Sequence, residues 1–147
     1  MSVFADSSAL VKLYVAEDGH EAVRASAGPL VIASLARVEV PAALWRKART
    51  GELAADDAAI LVSAFEFDYH GDDEVASIFA ILAVDESMLV GAARQAARHG
   101  LRAYDAVQLA CATAARSADA SIDTLAAFDA QLRTAAMAEG FSVLGAG

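Results

Sequence analysis

Four acids in this chain stand where acids need a reason. Asp6 closes the apolar run "SVFA", Glu39 interrupts "ARVEVPAAL", Asp105 opens the alanine-rich "AYDAVQLACA", and Asp129 follows "SIDTLAAF". Each lies at the end of an apolar strand-like run or on the helix that follows one, where the chain returns to one edge of a sheet. Carboxylates gathered there would repel: two unit charges ~4 Å apart cost about 4 kcal/mol at an effective dielectric near 20. A divalent cation removes that cost, and an all-oxygen site suits Mg²⁺ or Mn²⁺. Such a site activates water and neutralises a phosphoryl oxygen.

Taken singly, three of the four have a plainer explanation. Asp6 and Asp129 each precede a helical pattern and read equally as N-caps. Asp105 in a first turn would gain roughly 0.3–1 kcal/mol from the helix dipole. Glu39 has no local partner, and an unpaired buried carboxylate is costly.

The elements that must position these acids follow from pattern and punctuation. "SVFAD" reads as a strand ending at Asp6, "SSALVKLYVAE" as a helix broken by Gly19, and "HEAVRASA" as a second helical piece. "GPLVIAS" is the next strand. Ser34 is the expected N-cap of "LARVEVPAALWRKART", with a kink or late start at Pro41 and closure at Gly51. "ELAADDAAILVSAFEF" is helical and "ILAV" a short strand. Asp85 caps "ESMLVGAARQAARHG", which ends at Gly100. The helix bearing Asp105 follows, then the strand "SIDTLAAF", the helix "DAQLRTAAMAEG" and the strand "FSVLG". Strands alternate with helices and are nearly continuous in apolar character. That predicts parallel strands buried on both faces, a three-layer α/β/α fold, with ligands outside the strands' carboxyl ends.

Composition sets the bounds. With 147 residues, 57% hydrophobic and 21% charged, the chain reads as one domain, residues 1–147, with ample core. Cys111 is the sole cysteine and reads as a small buried hydrophobe rather than a reactive thiol. No basic, apolar and small-residue sequence of a signal peptide is present, and the longest apolar run, "VASIFAILAV", is too short to span a bilayer. A cytoplasmic protein without membrane association is expected. Twenty acids against eleven bases give a net charge of −9, which opposes general affinity for a polyanion. Any nucleic acid must be met by local basic residues or bound cations.

The stretches "FADSSALVKLY", "SLARVEVPAALWR", "LRAYDAVQLACA" and "FDAQL" resemble, in order and spacing, the motifs of PIN-domain proteins. Among these the chain is similar to the VapC toxins of VapBC toxin–antitoxin systems. The resemblance implies a Mg²⁺- or Mn²⁺-dependent endoribonuclease cutting RNA by metal-activated water, as the toxin of a type II pair. It places Asp6 and Asp105 as the most direct metal ligands. Glu39 becomes a ligand or proton acceptor, and Asp129 a ligand held directly or through water. A VapB-type antitoxin partner, a homodimer, and a heterotetramer or larger complex with the antitoxin are also implied.

Where many relatives carry Ser or Thr two residues before the last acid, this chain has Ala127, with Thr124 or Asp123 as possible substitutes. A catalytically silent PIN-like module that binds RNA or protein is the alternative reading. A phosphatase of the acyl-phosphate class would need aspartate at position 8, which is serine.

The densest basic patch, "WRKAR", lies on the helix that bears Glu39. Arg46, two turns beyond Glu39 on roughly the same face, is the best candidate for a phosphate contact, with Lys47 beside it. Such a patch reads equally as a solvated helix end. Ser7 and Ser8 either support the metal ligands or satisfy the first turn. His20, His70 and His99 lack ligand spacing and are expected at the surface. Leu10, Leu13 and Tyr14 are candidates for an antitoxin groove, and Ile60–Phe67 for a dimer face.

Overall fold

The computed structural model describes residues 2–26 and 28–145. In chain order its elements are β1 (Ser2–Ala5), α1 (Ser7–Tyr14), α2 (His20–Arg24), β2 (Val31–Ala33), α3 (Ala36–Arg49) and α4 (Ala55–His70). There follow β3 (Ala80–Leu82), α5 (Glu86–His99), α6 (Ala103–Ala118), β4 (Ile122–Ala126), α7 (Ala130–Ala138) and β5 (Ser142–Leu144). The strands form one sheet in the order β3-β2-β1-β4-β5, and every pairing is parallel. Helices cover both faces, so the expected three-layer α/β/α architecture holds.

Alternation along β1 divides the core. Phe4 points into a cluster with Leu109, Leu125 and Leu132, packed by α5, α6 and α7. Val3 and Ala5 point the other way, toward Leu10, Val40, Leu44 and Phe65 of α1, α3 and α4. A strand whose consecutive apolar residues, here Val3, Phe4 and Ala5, alternate between faces must be buried on both sides. Small residues let α5 and α6 pack closely: a side chain at Gly91 would meet the Ala110 methyl at 3.8 Å.

The chain leaves β1 in one direction, through β2 and β3, and returns to β4 on β1's other side. The carboxyl ends of β1 and β4 therefore flank a topological switch point, where a parallel sheet leaves a crevice. Asp6 follows β1 directly, and its backbone N–H donates to the Ala126 carbonyl at the end of β4 (3.0 Å).

Three local expectations are corrected. Helix α1 stops at Tyr14, short of Gly19, and the segment after it is folded back by Lys12, whose Nζ bonds Glu17 Oε1 (3.1 Å) and the Asp18 carbonyl (2.6 Å). Gly19 starts α2 instead, in the left-handed region (φ 86°), and a Cβ there would strike the Phe128 ring. Ser34 does not cap α3 through its side chain: its Oγ accepts from the Val84 N–H (3.0 Å), tying β2 to the segment after β3. The late start foreseen at Pro41 does not occur, since α3 runs from Ala36 through that proline.

Leu10 is fully buried, so it cannot line an exposed groove. In the segment 60–67, Ile60 and Phe67 are exposed while Phe65 is core. His99 is half-buried rather than fully exposed. Its ring Nε2 meets Glu139 Oε1 at 2.8 Å in a part-buried pair that joins α5 to the end of α7.

Candidate metal centre

Asp6 is 4% exposed and caps α1. Its Oδ1 accepts from the Ala9 N–H (2.9 Å) and the Ser8 hydroxyl (2.7 Å). Ser8 in turn accepts from the Phe128 N–H (3.1 Å), which ties the cap to the segment between β4 and α7. Among the described residues no cationic side chain pairs with this carboxyl. Burial pushes it up to about 7 against the pull of Ser8 and Ala9, and the neighbouring charges of Glu39 and Asp105 raise it further.

Glu39, in the first turn of α3, finds its partners on two other elements. Its Oε1 accepts from the Ser7 hydroxyl (2.8 Å) and from Gln108 Nε2 (2.7 Å), and Gln108 Nε2 also donates to Ser7 Oγ (3.1 Å). The orientation of the Gln108 amide follows from chemistry. A carboxylate accepts only, and the Ser7 hydroxyl already gives its proton to Glu39, so both amide hydrogens face this pair. Gln108 Oε1 must then face away, and it is buried without a partner among the described residues.

Asp105 is the third residue of α6, after its N-cap Arg102. Burial, then the charge of Asp129, raises its carboxyl above the usual range, with Arg102 opposing. Asp129 caps α7, its Oδ2 accepting from the Leu132 N–H (3.0 Å). Arg102 Nη2 lies between the two acids, 3.4 Å from Asp105 Oδ2 and 3.6 Å from Asp129 Oδ1, on a side chain that is 76% exposed. Two long contacts from an exposed side chain neutralise little.

All four acids line one cavity of about 260 Å³, together with Gln108 and Arg46. Two further cavities adjoin it. One of about 350 Å³ runs over Tyr104 and Arg102, and one of about 430 Å³ lies over Lys12, Lys47 and Phe128. Arg46 borders all three and makes no ion pair among the described residues. Lys47 is differently placed: it is held by Glu17 (2.7 Å) and Glu52 (3.5 Å). Burial raises Glu17, but the bonds from Lys47 and Lys12 outweigh it and hold that carboxyl low.

Among the described residues no three acidic, His or Cys side chains are gathered tightly enough to hold a metal as they stand. The donor chemistry nevertheless fits a hard divalent cation. The donors are oxygens only, Asp6 is buried without a counter-charge, and Asp105 is held above its usual range.

Ala127 is buried, and its carbonyl accepts from Arg133 Nη1 (3.0 Å). The hydroxyl absent there is not replaced by Thr124, which donates to Asp123 Oδ1 (2.9 Å) in the middle of β4 rather than at its carboxyl end. Cys111 is fully buried, and burial pushes its thiol up to about 11, as an inert core residue requires.

Sequence reasoning missed Gln108. The one available signal was a long amide three residues after Asp105, inside the alanine-rich run from Ala106 to Ala112.

A parallel sheet with a carboxylate-lined crevice at its switch point defines an α/β protein that works on a ligand held at the strands' carboxyl ends. Residues 3–138 match the model of the PIN domain, and the chain belongs to that family. PIN domains are a nuclease-type fold and generally use divalent metals. No curated protein matches the chain. None of the described helices is long and apolar enough to cross a membrane.

Proposed function

We propose that this chain is a Mg²⁺- or Mn²⁺-dependent endoribonuclease and the toxin of a type II toxin–antitoxin pair. The observation that carries the catalytic reading is Asp6: a buried carboxyl without a counter-charge, facing the same cavity as Glu39, Asp105 and Asp129. The motifs shared with VapC toxins support the toxin role. A cytoplasmic location, a VapB-type antitoxin and assembly as a homodimer or a larger complex with that antitoxin belong to the same reading.

Asp6 and Asp105 would hold the cation, with Asp129 offering the oxygen that does not cap α7. The carboxylates must draw in from their present spacing to do so. When bound, a divalent ion supplies a Lewis acid for the phosphoryl oxygen and lowers the pKa of water. Glu39 takes the proton of the attacking water at Oε2, because Oε1 is already engaged by Ser7 and Gln108. Arg46 meets a phosphate from the cavity junction, whereas Lys47 would first have to leave Glu17.

The wider spacing of the acids and the alanine at position 127 favour a second reading, a silent PIN-like module that binds RNA or protein. Cleavage of structured RNA by the wild type and Asp6→Asn, with Mg²⁺, Mn²⁺ or EDTA, separates the two. Metal-dependent cutting reduced at least ~100-fold in the variant supports the enzyme, by analogy with loss of a first ligand. RNA binding without cutting by either protein supports the module.

A further inference from the structure

The cavity of about 350 Å³ beside the carboxylates carries, besides Glu39 and Asp105, a lining that metal chemistry does not use. It shares Glu39, Asp105, Arg46 and Arg102 with the acidic crevice and adds Tyr104. The chain has three tyrosines. Tyr14 donates to Asp68 (2.7 Å) and packs edge-on against Phe65, and Tyr69 packs on Phe65 and His70. Tyr104 is 61% exposed and, among the described residues, has neither a ring partner nor a hydrogen bond. It lines the same cavity as Asp105 and Glu39, so a group stacked on its ring inside that cavity lies next to the carboxylates. Both arginines are exposed guanidiniums, planar groups suited to phosphates and to aromatic faces.

The structure assigns this cavity to one unpaired nucleotide of the RNA, flanking the scissile phosphate, with its base stacked on Tyr104 and its phosphate on Arg46. This rests on the nuclease reading above. An exposed π-face beside cations accepts any base that is free of a stack, and duplex RNA does not offer one. The volume lies within the roughly 300–1,000 Å³ of small-ligand sites. With a net charge of −9, affinity cannot come from a general basic surface, so a stacking contact has a disproportionate share to supply.

The test uses a short unstructured RNA carrying 2-aminopurine at each position in turn. Binding is read in the Asp6→Asn background and cleavage in the wild-type background. Tyr104→Ala is expected to weaken binding roughly 5- to 100-fold and to remove a fluorescence quench confined to one position. In cleavage the loss should fall on KM rather than kcat. Tyr104→Phe, which keeps the ring, retains the quench and binds within about twofold. Unchanged affinity and quench in Tyr104→Ala overturn the subsite, and metal-dependent cleavage by that variant then leaves the nuclease reading in place. Conversely, Tyr104-dependent binding with no cleavage by wild type sinks the nuclease reading, and the base-stacking contact on Tyr104 then stands without a scissile phosphate beside it.

Discussion

Asp6 and Asp85 are the same residue in the same local fold. Each caps a helix, and each accepts from the backbone N–H three residues on and the serine hydroxyl two residues on. The distances are 2.9 and 2.7 Å at Asp6, and 2.8 and 2.8 Å at Asp85. Their electrostatics are opposite. Asp85 follows the edge strand β3 in solvent, and its hydrogen bonds, the Met88 N–H foremost, hold it below the usual carboxylate range. Asp6 follows the central strand β1, and burial overrides the same two hydrogen bonds and pushes it up to about 7. A cap motif therefore does not distinguish a structural acid from one that awaits a cation. Position in the sheet does.

The largest way to break this comparison is a pH series in EDTA. Asp6 has a folded pKa of about 7 against an ordinary 3.8, so the folded state retains a proton that the unfolded state loses. The wild type should therefore lose stability as pH rises between those two values, with the full cost present above about 7. Asp6→Asn keeps an acceptor for Ser8 and Ala9 without the charge. By linkage it should be more stable than wild type at neutral pH by at most about 4 kcal/mol, and the difference should vanish near pH 4. Denaturant midpoints across that range measure it. A flat difference would mean that Asp6 is no more buried in effect than Asp85. Adding Mn²⁺ at neutral pH should stabilise the wild type and leave Asp6→Asn nearly unmoved.

A smaller effect sharpens the contrast at Glu39, which depends on neutral donors as Asp6 does. Gln108→Leu keeps the volume but leaves Oε1 of Glu39 with Ser7 alone. Loss of one partner from a part-buried carboxylate costs about 1–3 kcal/mol, equivalent to roughly 5- to 150-fold in cleavage rate if that energy is felt in the orientation of Glu39. Gln108→Glu should be worse than Gln108→Leu, because it sets a second carboxylate against the first. Equal activity in all three proteins would remove Gln108 from the site, and a shifted pH–rate profile in Gln108→Leu would separate positioning of Glu39 from mere loss of stability.

The readable part of this molecule was the part fixed by apolar runs. The apolar runs "VFA" and "TLAA", buried throughout, set the parallel sheet, and the acid beyond each fell at its carboxyl end, so Asp6 and Asp129 could be found from one sequence. Partners reached across the fold could not. Ser34 looks like a cap in its own segment but serves a backbone N–H fifty residues away. His99 looks free in "ARHG" but is paired, half-buried, with an acid at the end of another helix. Glu39 lacks a local partner because Ser7 and Gln108 come from α1 and α6. Local pattern carries capping and burial, whereas side-chain pairing at long range is written only in the packing.

The weakest effect belongs to Asp85 itself and completes the test. Its folded pKa is lowered, so its contribution is present above the ordinary carboxylate value of 3.8 and is lost as pH falls through the folded value. Asp85→Ala removes the acceptor for Met88 and Ser87 and should lower Tm at neutral pH, by less than the Gln108 changes, with the loss fading in acid. Asp6→Asn and Asp85→Ala should thus move stability in opposite directions at the same pH, from caps of matching geometry. If both lower Tm at neutral pH in EDTA, the uncompensated charge at Asp6 is not there, and the case for a cation at the crevice loses its strongest support.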